Sequence, residues 1–187
     1  AGSDIDTKFH HMVRGKVGYM AGYLEELKHP PIALSYYDQT ADDVKDVTDP
    51  YDQKPYIYMT RRPYEMEKNE THNLICIGGP ERSLDDTAGY ATEAEYSEEA
   101  IGEISKFLHD TYQNAPKDDI DFKFKWHGLM GYTPTSLRVV GEEPKNRVLL
   151  YNLGCNGIGI IPSVFGGRRI SKILAGERQQ PSVFDPR

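Results

Sequence analysis

Long apolar runs are missing from this 187-residue chain, and no stretch approaches the roughly 18 apolar residues that a membrane helix needs. No membrane-spanning helix is therefore expected. Cysteine is scarce. Cys76 and Cys155 are the only two, both inside apolar, strand-like segments, where buried free thiols are expected rather than a disulfide. The spacing of a zinc site is also lacking, because His10 and His11 are adjacent while His29, His72, His109 and His127 are scattered. No metal is expected. Excess positive charge is absent too: the formal charge is -7, which argues against a nucleic-acid partner, since phosphate binding needs a basic surface. The start, Ala1-Gly2-Ser3-Asp4, has neither the basic residues nor the apolar stretch of a signal peptide, so a cytoplasmic protein is expected.

What is present suits a packed domain. Hydrophobic residues make up 38% and charged residues 27%. Charge is uneven: residues 85–121 carry eleven acidic side chains against Lys106 and Lys117, whereas 141–187 carry seven basic and four acidic ones. Both read as solvated surface, with the basic end compatible with an anionic cofactor nearby. Strands are expected at 12–20, 32–37, 56–61, 73–77, 122–126, 136–140 and 147–153, several alternating with period two. In one, Tyr56 and Tyr58 share a face; in another, Phe122, Phe124 and Trp126 do. A helix is expected over 98–112, capped by Ser97, with Ile101, Ile104, Phe107, Leu108 and Tyr112 as its apolar stripe. The stretches 28–31, 40–55 and 61–72 read as polar connections containing proline. Together these give an α+β fold on a mostly antiparallel sheet with flanking helices, plus a C-terminal strand–glycine loop–helix.

That last unit is the segment with chemical content. An apolar strand over 146–153 runs into Gly154-Cys155-Asn156-Gly157-Ile158-Gly159, then a helical pattern closed by Gly176. Glycines permit sharp turns and close approach, and a helix start offers free N–H groups and partial positive charge. Pro162 fits the first turn, where its missing N–H has no helical partner. The spacing is G-x-x-G-x-G. A dinucleotide fingerprint, G-x-G-x-x-G, occurs nowhere in the chain. On spacing alone, a tight structural turn and a cradle for an electron-rich group explain the loop equally well.

The order of motifs across 126–176 resembles the C-terminal half of the D-amino-acid oxidase, glycine oxidase and sarcosine oxidase superfamily of FAD-dependent oxidoreductases. Trp126, Gly128, Thr133 and Pro134 match its W-x-G-x-x-x-x-T-P-D segment, and Gly141 its following turn. Gly154, Gly157 and Gly159 match its glycine loop, with Ile173-Leu174-Ala175-Gly176 at the end of the helix. More loosely, Val13-Arg14-Gly15-Lys16-Val17 resembles the strand that opens the family's substrate domain. Ala1-Gly2-Ser3 reads either as the end of a preceding flavin-domain strand or as a cloning remnant. Thr135 replaces the family's usual Asp and Arg138 a small residue or Pro, so the subfamily and substrate stay open.

The resemblance implies oxidation of a C–N bond of an amino acid or amine by hydride transfer to flavin. It divides the chain into a substrate-type domain, 1–125, and a flavin-facing segment, 126–187. It implies non-covalent FAD contacts from Gly128, Leu129, Met130, Gly154, Asn156, Gly157, Ile158 and Gly159, since no Cys lies in 126–135 for a covalent link. Tyr58, Arg61, His127 and Arg138 are its candidates for substrate binding, and no catalytic base is named. The ADP-binding part is expected from a further domain, in cis or in trans, and the chain alone is expected to be inactive. A subunit of a split flavoenzyme and a non-catalytic α+β binding domain are the alternative readings.

Overall fold

The computed structural model describes residues 13–37, 56–68, 70–84 and 89–186. The expected 40–55 loop, the Ala1-Gly2-Ser3 start and the His10-His11 pair lie outside them.

Nine elements follow one another: β1 (Arg14–Glu26), β2 (Ile32–Tyr36), β3 (Ile57–Glu67), β4 (Glu70–Ser83), α1 (Glu98–Thr111), β5 (Phe124–Tyr132), β6 (Val139–Glu143), β7 (Asn146–Leu153) and α2 (Ile160–Leu174). The class is α+β, and every strand pairing is antiparallel. Five strands form one sheet in the order β2-β3-β4-β1-β5, while β6 and β7 form a separate hairpin. The boundary expected at 125/126 falls inside β5, which pairs with β1 from Arg14↔Tyr132 to Gly22↔Phe124.

Residues 61–72, expected as a connection, instead complete the β3–β4 hairpin. Pro63 is the reason the sequence reads otherwise, and its position explains why it is tolerated. It pairs with Asn73 on β4, but β2 accompanies β3 only as far as Arg61, so no neighbour needs the N–H that proline lacks.

Alternation gives the sheet two unlike faces. Ala21, Tyr23, Met59, Ile75 and Ile77 point to one side and are buried under Ile104 and Leu108 of α1. Ser97 caps that helix by accepting from the Ala100 N–H at 3.2 Å. Phe122 belongs to this side as well. It precedes β5 and meets Tyr23 edge-on at 6.1 Å, parting from Phe124 and Trp126. The opposite face carries Gly18, Met20 and Gly22 of β1, Tyr58 of β3, Cys76 and Gly78 of β4, and Trp126, Gly128 and Met130 of β5. No helix among the described residues covers it.

The second unit is built on the β6–β7 hairpin, with α2 against it. Gly166 makes the approach possible, since a Cβ there would overlap the Asn152 amide. Past the helix, the N–H groups of Gly176 and Glu177 bond back to Ile173 and Lys172 at 2.9 Å, with Gly176 at φ 78°. The chain then returns along β6, where the Val140 N–H bonds to the Phe184 carbonyl at 2.7 Å. Cys76 and Cys155 are both free. No helix among the described residues is long and apolar enough to cross a membrane.

Leu108 is fully buried, whereas Leu174 is 72% exposed. Leu108→Ala is expected to cost about 2–5 kcal/mol in urea unfolding, and Leu174→Ala within about 0.5 kcal/mol.

Candidate functional site

Two carbonyl and amide clasps fix the glycine loop. Asn156 sits at φ 48°, a conformation asparagine tolerates better than most residues. Its N–H bonds to the Gly131 carbonyl at 3.0 Å, and its side-chain oxygen accepts from the Thr133 N–H at 2.8 Å. Its amide nitrogen donates to the Gly154 carbonyl at 3.2 Å. The loop is thereby tied to the end of β5. Arg138 holds the other side, donating to Asn152 Oδ1 and Ser163 Oγ at 2.7 Å each and to the Gly159 carbonyl at 3.4 Å. Its guanidinium is buried and committed to positioning the helix start.

Gly157 lies against the open face of the large sheet. At φ 74° it needs glycine's freedom, and a Cβ there would stand 3.2 Å from the Tyr132 hydroxyl and 3.6 Å from that of Tyr56. Tyr132 is 1% exposed and donates to Glu81 Oε1 at 2.6 Å. Lys16, also buried, places its ammonium 5.3 Å from the centre of the Tyr132 ring, a cation–π distance. Glu81 reaches this face because β4 bulges. Gly18 pairs with Glu81 but Met20 pairs with Gly78, leaving two residues of β4 opposite one of β1. Gly79 makes that bulge at φ 155°, and a Cβ on it would meet the Tyr56 carbonyl at 2.7 Å.

The phenols here are held neutral. Burial is the first cause of the upward shifts of Tyr132, Tyr58 and Tyr56. The hydrogen bond and the charge of Glu81 add to the shift of Tyr132, and its charge to those of Tyr56 and Tyr58.

The expected residues divide by strand parity. Gly128 and Met130 share the open face, and the space above Gly128 is empty to 4 Å around a would-be Cβ. Leu129 is out of phase, paired with Val17 on the α1 side. Gly154 abuts the Thr133 methyl, and Ile158 is 71% exposed with its N–H bonded to the Cys155 carbonyl at 2.9 Å. The N–H groups of Gly157 and Gly159 take no backbone carbonyl among the described residues. Gly159 caps α2 without any side-chain bond.

Of the substrate candidates, Tyr58 alone joins this face. Arg61 points to the α1 side, where it donates to the Pro30 carbonyl at 2.9 Å and the Tyr112 hydroxyl at 2.7 Å. Tyr112 passes its own proton to Glu25 at 3.2 Å, and Glu25 lies 3.7 Å from Arg61. His127 also faces α1. Its Nε2 is 2.9 Å from the Ala94 carbonyl and must donate there, while its Nδ1 lies 3.1 Å from the Tyr90 hydroxyl. Lys16 and Glu81 were not among the candidates. The Gly78-Gly79-Pro80 bulge signature was the available signal for Glu81.

No family model and no curated protein matches the chain. Among solved structures it is similar to Amadoriase I of Aspergillus fumigatus, described as a fructosyl amine:oxygen oxidoreductase. A double-cysteine variant of that enzyme aligns with a TM-score of 0.59 at 16% identity, covering 98% of this chain and 40% of the other. A second structure of the enzyme gives 0.56 at 17% identity, with the same coverage. The chain has the fold of part of an amadoriase. It spans 40% of the length of these neighbours.

The pH dependence of stability follows from the tyrosines. Burial pushes Tyr96 up to about 12, with Tyr19 and Tyr58 adding, and it raises Tyr23 and Tyr132 further. The unfolded phenols ionise near pH ~10. Their contribution is therefore complete below about pH 10 and is lost as pH rises through the folded values. Urea midpoints measured between about pH 8 and pH 12 are expected to hold level and then fall, with the phenolate absorbance of Tyr23, Tyr96 and Tyr132 appearing only as the chain unfolds. Ionisation of these three phenols at pH ~10 with the fold intact would contradict this.

Proposed function

We propose that the chain is the substrate-sheet and flavin-facing portion of an FAD-dependent oxidoreductase that oxidises a C–N bond of an amine or amino acid. One observation carries the reading. The G-x-x-G-x-G loop, at the start of α2, is clasped to the strand whose open face is Gly128 and Met130. Support comes also from the family motifs between Trp126 and Gly176, and from the likeness to the fold of a fructosyl amine:oxygen oxidoreductase.

The residues present fit a planar cofactor. Gly128 leaves open space on the sheet, and Gly157 and Gly159 offer backbone N–H groups beside an uncapped helix start. Flavin, when bound, supplies the hydride acceptor and takes up negative charge as it is reduced. Gly157 and Gly159 would donate to that charge, aided by the partial positive charge of α2. The Asn156 and Arg138 clasps fix those donors in advance, so no reorganisation is needed as charge develops. Ile158 turns its N–H inward, which leaves its part to the exposed side chain.

On the sheet side, Tyr58 and Tyr56 would border the substrate, and the neutral phenols offer donors rather than charge. Arg61 and Arg138 hold the frame. Residues 1–125 contribute the substrate sheet and 126–187 the flavin-facing segment, with β5 continuous between them. The part of FAD beyond the ring would be held by a nucleotide-binding domain in cis or in trans. Free Cys76 and Cys155 thiols support a reducing, cytoplasmic setting.

Titration of the purified chain with FAD is expected to show affinity weaker than about 1 μM and no amine-dependent peroxide formation. Submicromolar FAD affinity together with amine turnover by the chain alone would refute the assignment as a portion.

A further inference from the structure

Two methionines of the open face reach over bare glycine backbone beside the space above Gly128. Met130 of β5 pairs with Lys16, yet its side chain leans diagonally across β1 onto Gly18, the partner of Gly128. A Cβ at Gly18 would stand 2.5 Å from the Met130 methyl carbon and 3.6 Å from its sulfur. Met20 of β1 leans over its own partner on β4, with its Cγ 2.8 Å from a would-be Cβ on Gly78, in space shared with the Tyr58 hydroxyl. Both methionines are half-buried, so the face is not sealed around them. Two others differ. Met59 is 3% exposed in the core under α1, and Met66 is 48% exposed near the turn of the β3–β4 hairpin.

A thioether is soft and polarisable, and peroxide converts it to a sulfoxide. The sulfur lone pair attacks one oxygen of hydrogen peroxide and the O–O bond breaks. The other oxygen leaves as hydroxide and takes the proton of the transferred oxygen, giving water. Sulfur loses two electrons and the peroxide gains them, so no further reactant is needed. Hydrogen peroxide is the product wherever molecular oxygen takes two electrons back from a reduced flavin. On the flavin reading, on which this inference rests, it forms on the open face, with the Met130 sulfur beside it. Oxidation turns a flexible apolar side chain into a polar one.

We propose that Met130 is an oxidation site through which hydrogen peroxide closes the flavin cradle, a product-linked brake on that same site. The sulfoxide sets an oxygen over Gly18, next to Gly128, where the thioether leaves room for a planar ring. Gly18 has no side chain to shift aside, and its backbone is held between β4 and β5, so the added atom extends into the open space. A polar group placed against the ring without a hydrogen-bond partner weakens binding. Met20, beside Tyr58, is a second target on the same face. Methionine sulfoxide is reducible enzymatically, which makes the brake reversible.

The purified chain would be treated with hydrogen peroxide and each methionine followed by peptide mass mapping. Met130 is expected to gain its oxygen at least about tenfold faster than Met59, which reacts only as the chain opens, with Met66 as the exposed reference. Amide NMR of the oxidised chain is expected to show shifts at Gly18 and Gly128 while the α1 side stays in place, a readout that needs no flavin. Free lumiflavin, followed by its fluorescence, is expected to bind the oxidised chain at least about fivefold more weakly than the untreated one. Met130→Leu, compared with its own untreated sample, should lose no affinity on peroxide treatment, and Met66→Leu should lose as much as the unsubstituted chain. Methionine sulfoxide reductases should restore binding. Oxidation of Met130 no faster than that of Met59, lumiflavin binding undiminished once Met130 is oxidised, or the same loss in Met130→Leu would overturn the proposal. Lumiflavin that fails to bind even the untreated chain would overturn the flavin reading and this inference with it, so the two failures are told apart.

Discussion

The flavin reading of this chain depends on the clasp between Asn156 and the end of β5. A glycine loop at a helix start is common, and by itself it can serve as a turn. Here the Asn156 side chain and N–H take the Thr133 N–H and the Gly131 carbonyl, which fixes the loop at the end of the large sheet. Arg138 completes the restraint from behind by joining Asn152, Ser163 and the Gly159 carbonyl. The hairpin-and-helix unit is thereby set against the sheet, with Gly157 beside Tyr132 and Tyr56, and the N–H groups of Gly157 and Gly159 take no backbone carbonyl among the described residues. Leaving any buried partner of such a network unpaired costs about 1–3 kcal/mol, more where the group is charged. The arrangement is accordingly well determined.

The two faces of the sheet differ in what they carry. One face is the core under α1, where even the polar groups serve packing: Arg61, Tyr112 and Glu25 form a relay, and His127 is held between Ala94 and Tyr90. The other carries glycines at Gly18, Gly22, Gly78 and Gly128, with Met20, Met130 and Trp126 between them. Small residues beside large flexible or aromatic ones make a concave, apolar surface. Charge enters this face at Arg14, at Lys16 and Glu81 near Gly157, and at Arg62 on the far rim.

The elements were legible in the sequence because their signals are local. Period two marked several of the strands, three- and four-residue steps marked α1, and Gly176 and Pro162 marked the ends of α2. Parity was legible too, since Tyr58 and Arg61 are an odd number of residues apart and His127 is one from Gly128. Those spacings place them on opposite faces of any regular strand. What period two alone does not carry is the effect of the β4 bulge, marked only by Gly78-Gly79-Pro80, which turns Glu81 onto the open face within reach of Tyr132. The role of Arg138 was equally hidden, because its partners come from β7 and α2 rather than from its neighbours in sequence. Charge next to a motif suggests a ligand; burial with four internal acceptors makes it a brace. The glycine loop itself was legible as a loop, whereas its docking onto β5 was not, because the Thr133 and Gly131 partners of Asn156 lie more than twenty residues away in sequence.

The central claim is that flavin would rest between Gly128 and the Gly157–Gly159 backbone. The direct measurement is amide NMR on the labelled chain during titration with lumiflavin, the ring without its nucleotide tail. The account predicts saturable shifts centred on the amides of Gly128, Gly157 and Gly159, with little change at His127 or Arg61 on the α1 side. Shifts centred on the α1 side, or none at the glycine loop at saturating lumiflavin, would contradict it.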